Sequence, residues 1–219
     1  MLKAILFDHD GTLVDSEEVH YQLWREIMRA YAVDLSAEEY RDYYSGIPTA
    51  KNALDLTVRH QLPIDAPSLA AQKHQVTRDY IARTAFPLMP HADATVRRFA
   101  ATGAQLAVVT GSTRNCVDAT LAAYQWQPLF STIVSSEDVS NNKPAPDSYL
   151  LALQRLGLSA QEAIAIEDTA HGLQAATRAG ITCVAVRNAM SQSHDLSNAI
   201  QVFNHLQEAA DWVVQHYRF

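Results

Sequence analysis

Short apolar runs recur along this chain, and each one stops at a polar residue. The first covers residues 2–7 and halts at Asp8; others cover 105–110, 132–135, 163–167 and 182–186. Runs this short without polar alternation read as strands buried on both faces. Between them lie amphipathic stretches over 91–102, 113–123, 146–156 and 169–179. Strands alternating with helices predict an α/β fold, a doubly wound parallel sheet with helices on both faces. Gly103, Gly157 and Gly180 each follow a helical stretch, where a residue of positive φ ends a helix. Gly172 falls inside a predicted helix, where it costs stability and points to close backbone approach.

Residues 15–86 break the alternation. They contain no convincing strand, and helical stretches are expected near 15–30, 37–44, 49–61 and 67–83. Asp15-Ser16-Glu17-Glu18 reads as a capping box opening the first of them. The expected organisation is a core domain of 1–14 and 87–219 with a helical domain of 15–86 inserted after the first strand. After Val186 the pattern weakens, apart from a closing helix near 205–216.

With 219 residues and 48% hydrophobic content the chain can bury a substantial core. Its formal charge of −7 disfavours nucleic acid and anionic membranes as partners held by bulk electrostatics. No apolar run reaches membrane-spanning length, and the apolar start is too short for a signal peptide, so a cytoplasmic location is expected. Cys116 and Cys183 cannot build a disulfide framework and read as buried thiols.

In an open parallel sheet, ligands sit beyond the carboxyl ends of the strands. Four such ends carry informative residues. Asp8-His9-Asp10-Gly11-Thr12 sets two carboxylates two residues apart, a repulsive pair unless a cation or shared proton relieves it. A hard divalent cation such as Mg²⁺ does so. Asp8 is placed as a nucleophile and Asp10 for proton transfer. A pair of turn-forming aspartates is the plainer alternative. Thr110-Gly111-Ser112 ends a strand just before a helix, as a phosphate cradle or an ordinary helix cap. Lys143, between prolines, can set one positive charge against phosphate or stay a surface lysine. Glu167-Asp168 closes a buried strand, where one carboxylate can bind a metal and the other support it, or Asp168 can cap the next helix.

Taken together and in this order, these motifs resemble those of the haloacid dehalogenase superfamily. Asp8 through Thr12 matches its DxDGT motif, Thr110 its hydroxyl motif, Lys143 its lysine and Glu167-Asp168 its acidic motif. The segments FDHDGTLVDSE and EDTAHGLQAATRAG are most similar to the branch of β-phosphoglucomutase and small sugar phosphatases, whose Rossmann-like core carries an all-helical cap. The resemblance implies an Mg²⁺-dependent two-step phosphoryl transfer. Asp8 would form an aspartyl phosphate and Asp10 would protonate the leaving alcohol. Asp8, the Asp10 backbone carbonyl and Asp168 would hold the metal with Glu167 nearby, and Thr110 and Lys143 would bind phosphoryl oxygens. A small phosphorylated metabolite is the implied partner, handled by a monomer or weak dimer.

The resemblance leaves a choice between phosphatase and mutase, with a non-catalytic phospho-ligand binder as a third class. His20 and Trp24 look like cap residues of both enzyme groups; His20 is a candidate substrate contact or a packed helix-face histidine. Gly46-Ile47-Pro48-Thr49 fits the cap specificity loop, and Thr49 stands where β-phosphoglucomutases carry a phosphate-clamping arginine. Losing a bidentate clamp favours water as acceptor and a substrate with one phosphate, fructose 1-phosphate being the type. Lys51, Lys73 and Arg78 could stand in for the arginine but read as surface cations. His9 departs from the apolar residue usual between the aspartates; an imidazole there could tune Asp10 or contact substrate, but strand alternation favours a ring that points away from the site.

Overall fold

The computed structural model describes residues 1–219 except Met190 and Ser193. Its strands and α-helices run in chain order as β1 (Ala4–Phe7), α1 (Ser16–Arg29), α2 (Ala37–Tyr43), α3 (Thr49–Arg59), α4 (Ala66–Ile81), α5 (Ala92–Ala101), β2 (Gln105–Val109), α6 (Arg114–Ala123) and β3 (Phe130–Val134). They continue as α7 (Asp147–Leu156), β4 (Ala163–Glu167), α8 (Ala170–Arg178), β5 (Thr182–Val186), β6 (Gln201–Phe203) and α9 (Leu206–His216). Two compact units result: Met1–Asp15 with Pro87–Phe219, and Ser16–Phe86.

The first unit is an α/β fold around a six-stranded sheet of order β3-β2-β1-β4-β5-β6, with every pair parallel. β1 is central because its four residues are all buried, as the uninterrupted apolar run requires. Ala4 and Leu6 join Tyr149 and Leu153 of α7 and Leu173 and Ala176 of α8 in one core cluster. Phe7, on the opposite face, meets the ring of Phe99 in α5 at 6.0 Å. The chain winds outward from β1 through β2 to β3, then returns across to β4 and on to β6. That reversal beside β1 is the topological switch point where such sheets bind ligands.

The expected strands and helices are present with ends shifted by up to about two residues. β6 was not anticipated: its three residues are partly exposed and pair only with β5, so they carry no buried-strand signature. Gly103, Gly157 and Gly180 have φ of 83°, 69° and 77°. Both cysteines are buried and form no disulfide.

The second unit packs four helices around Tyr21, Trp24, Ile27, Met28, Tyr40, Tyr44, Leu56 and Leu69. The α1 members recur at helical spacing, so one stripe of the helix is apolar. Ser36 caps α2 by accepting from Glu39 N, and Asp65 caps α4 by accepting from Ser68 N.

Candidate active site

Register sets the depth at which the functional residues emerge. Phe7 is level with Val108 of β2 and Ile166 of β4. The next residue, Asp8, still donates its N–H to Ile166 O at 3.0 Å, and Thr110 N–H reaches Val134 O at 2.9 Å. Asp8, Thr110 and Glu167-Asp168 therefore leave the sheet in one layer at its carboxyl edge.

Lys143 enters that layer from the connection between β3 and α7. Its Nζ donates to Asp8 Oδ1 at 2.6 Å, Glu167 Oε1 at 2.6 Å and Val109 O at 2.8 Å, which satisfies all three protons of an ammonium. It is no surface lysine: its side chain is only 11% exposed. Tyr149 of α7 donates to the same Glu167 Oε1 at 2.7 Å. The Glu167 carboxylate lies against Gly172 of α8, where a Cβ would overlap it. This is the physical reason for a glycine inside that helix.

Asp168 occupies the other side. Asn188 Nδ2 donates to Asp168 Oδ2 at 2.8 Å and to Gly11 O at 2.9 Å. Gly11 has φ 80°, and a Cβ there would overlap Asp168 Oδ2. Asp168 does not cap α8. Thr169 does, accepting from Gly172 N at 3.1 Å, which frees Asp168 to face Asp8.

Asp8, Glu167 and Asp168 each offer an oxygen within 4.8 Å of the others, and all three are buried. Burial pushes the Asp8 carboxyl up from 3.8 to about 7; Lys143 opposes this, while Glu167 and Asp10 add to it. Burial, then Asp8 and Glu167, raise Asp168 well above the usual carboxylate range. Burial would lower Lys143, but its two carboxylate partners raise it above an ordinary lysine. One ammonium is thus set against three buried carboxylates. That excess negative charge, presented by hard oxygen donors, fits a divalent cation such as Mg²⁺.

Asp10 is not one of this trio. Its Oδ2 accepts from Thr110 Oγ1 at 3.1 Å, and the Thr110 hydroxyl accepts in turn from Ser112 N at 2.9 Å. A Cβ at Gly111 would meet nothing within 4 Å, so the turn is open on that side. The first amide of α6, on Arg114, is bonded to Glu137 Oε2 at 2.8 Å, so the end of that helix is not a ready cradle. The His9 ring goes to the α6 face as alternation requires, yet it does not point away from the aspartates. Its Nδ1 lies 3.3 Å from Asp10 Oδ2.

The cap candidates lie in the helical unit. His20 on α1 accepts from Lys73 Nζ at 3.1 Å and packs edge-on to Phe86. Lys73 is not a surface cation: it is 2% exposed, and its Nζ also reaches Thr77 Oγ1 at 2.9 Å. Thr49 opens α3 half-buried, while Lys51 is exposed.

Asn188, Tyr149 and Thr120 were not anticipated. Asn188 follows β5 as the acidic pair follows β4, and that position at a strand end was the available signal. Tyr149 and Thr120 sit on helix faces that look like ordinary core.

Comparison with known proteins places this arrangement. The family model for haloacid dehalogenase-like hydrolase matches residues 5–186. Protein CbbY of Rhodobacter capsulatus is 34% identical over 96% of this chain and 92% of its own length. Fructose-1-phosphate phosphatase YqaB of Escherichia coli (strain K12) is 32% identical over 84% of this chain and 96% of its own. The crystal structure of a CbbY mutant from Rhodobacter sphaeroides, in complex with xylulose-(1,5)bisphosphate, superposes with a TM-score of 0.80 at 28% identity. It covers 95% of this chain and 96% of that one.

Proposed function

Because the chain belongs to the haloacid dehalogenase-like hydrolase family, we propose that it is a phosphatase hydrolysing small sugar or polyol phosphate monoesters, with Mg²⁺ as cofactor. The observation that carries this reading is Lys143 joining Asp8 and Glu167, each at 2.6 Å, beside Asp168 at the sheet's carboxyl edge.

Asp8 and Asp168 would hold the metal ion, with the Asp10 backbone carbonyl as a further oxygen donor and Glu167 beside them. Once bound, the ion would supply positive charge against the phosphoryl oxygens. In the first step an Asp8 carboxylate oxygen bonds to phosphorus as the phosphorus–oxygen ester bond breaks, and Asp10 hands its proton to the departing alkoxide. In the second, Asp10 takes a proton from water, the water oxygen bonds to phosphorus, and the bond to Asp8 breaks. Lys143 holds Asp8 in position and adds charge where the phosphoryl oxygens gather. Thr110 fixes Asp10 through Oδ2, and since the Ser112 N–H is bonded to Thr110 Oγ1, the Gly111 N–H is the amide of that turn that would meet a phosphoryl oxygen.

A named fructose-1-phosphate phosphatase and a CbbY solved with a ketose bisphosphate support sugar phosphates as the substrate class. Thr49 in place of a clamping arginine supports water as the acceptor. We assign His20, Thr49 and Lys51 to substrate selection on the same resemblance. The test is a Mg²⁺-supplemented panel containing fructose 1-phosphate, xylulose 1,5-bisphosphate and β-glucose 1-phosphate, scored for inorganic phosphate. Release from sugar phosphates is expected. Conversion of β-glucose 1-phosphate without release would mark a mutase, and no turnover by folded, metal-loaded protein would mark a binding protein.

A further inference from the structure

We infer that His9, anchored by Thr120, is a positioning residue that fixes the orientation of the Asp10 carboxylate. This rests on the proposed proton-transfer role of Asp10. The His9 ring is fully buried, lying between the end of β1 and α6. Its Nε2 is 3.0 Å from Thr120 Oγ1 and its Nδ1 3.3 Å from Asp10 Oδ2. Thr120 is fully buried as well.

A buried imidazole is costly unless both nitrogens are bonded, whereas an apolar side chain would fill the same space without that cost. The histidine therefore supplies something an apolar residue cannot. The Asp10 contact sets the tautomer. An ionised carboxylate only accepts, so Nδ1 carries the proton toward Asp10. Nε2 then accepts from the Thr120 hydroxyl, whose single proton turns to the ring rather than to Cys116 O, 3.2 Å from Oγ1.

Thr110 Oγ1 donates to the same oxygen, Asp10 Oδ2, at 3.1 Å. Two donors from different elements converge on one carboxylate oxygen. They lock the plane of the carboxylate, and with it the directions in which its oxygens face. A catalytic carboxylate on a short turn needs such support, since small misplacements of a reacting group carry large rate penalties.

The experiment compares His9→Leu, Thr120→Val and Thr120→Ser with the unaltered protein on a sugar phosphate and on p-nitrophenyl phosphate. The latter's leaving group departs without a proton. On the sugar phosphate, His9→Leu is expected to lower kcat about tenfold or more, with KM changed less than about twofold. Thr120→Val is expected to follow in the same direction, Thr120→Ser to recover most of the rate, and the His9→Leu/Thr120→Val double variant to fall no further than His9→Leu. The pre-steady-state burst of nitrophenolate is expected to keep its rate, because nucleophilic attack by Asp8 is untouched. A nitrophenolate burst slowed as much as sugar-phosphate turnover, or undiminished kcat, would overturn the inference. Imidazole ¹⁵N shifts give a reading free of activity: an Nδ1-protonated His9 is expected, and an Nε2-protonated ring overturns the proposal. If the unaltered protein releases phosphate from nothing, the proposed function falls; if it is active and His9→Leu matches it, only the role of His9 falls.

Discussion

The Lys143 ammonium sits 2.6 Å from Asp8 Oδ1 across 135 positions of sequence, and the same nitrogen holds Glu167 Oε1. Three carboxylates and one lysine share a space almost closed to solvent. Removing the cation leaves like charges buried together, which costs far more than losing a surface pair. Lys143→Met is expected to abolish turnover and to lower metal-free stability at about pH 8 by roughly 3–5 kcal/mol. Denaturant titration in EDTA measures it. A stability change under about 1 kcal/mol would mean the carboxylates do not depend on this ammonium.

Asp8→Asn separates chemistry from folding. The amide is close in shape and removes one buried negative charge, while Lys143 keeps Glu167 and Val109 O as partners. Turnover is expected to fall by at least about 10³-fold, with the metal-free melting temperature at or above that of the unaltered protein. Phosphate release and differential scanning calorimetry report the two effects. A variant retaining most of its rate would remove Asp8 as the nucleophile.

The raised carboxyls make metal-free stability depend on pH in a definite direction. Asp8 goes from 3.8 to about 7, chiefly through burial, and Asp168 is raised with it. In that interval the folded protein binds more protons than the unfolded chain, so stability falls as pH rises. The contribution is complete below about pH 4 and is lost as pH passes about 7. The lowered carboxyls of Asp138 and Glu162, each at about 2, act in the opposite sense, but only in more acid solution. The melting temperature in EDTA is therefore expected to fall between about pH 5.5 and about pH 8. Mg²⁺ is expected to raise it more at the upper end, because protons and metal compete for the same oxygens. A Mg²⁺ effect that is absent, or largest at the acid end, would contradict the metal assignment.

Gly172 sets two effects against each other. Helix propensity alone favours alanine there by about 1 kcal/mol. The Glu167 carboxylate, however, occupies the Cβ position and is held there by Lys143 and Tyr149. Gly172→Ala is expected to destabilise by about 1–3 kcal/mol and to weaken the thermal response to Mg²⁺. Chemical denaturation decides between the signs, and a stabilised variant would show that the carboxylate is free to move aside.

Much of this was legible without coordinates. β1 could be read because four consecutive buried residues leave no polar alternation, and Gly172 could be read because a helix interior tolerates glycine only for a reason. β6 was illegible because a three-residue strand at a sheet edge is partly exposed and has no distinctive pattern. Lys73 read as a surface cation because a lysine's burial depends on its neighbours, and His20 and Thr77 are those neighbours. His9 was only half legible: alternation gave the α6 face on which its ring lies, but not the approach of its Nδ1 to the side chain of its chain neighbour Asp10 at 3.3 Å, which depends on the rotamers of both.

Residue order alone determined which strand ends carry carboxylates, hydroxyl and lysine, since apolar periodicity and glycine placement are local properties written along the chain. Only the folded molecule decided which oxygens face one another. That Asp168 faces Asp8 while Thr169 takes the helix cap, that Asn188 spans Gly11 and Asp168, and that Thr120 lies behind His9 all depend on strand order and register. Those bring together side chains more than a hundred positions apart through packing, which no local pattern encodes.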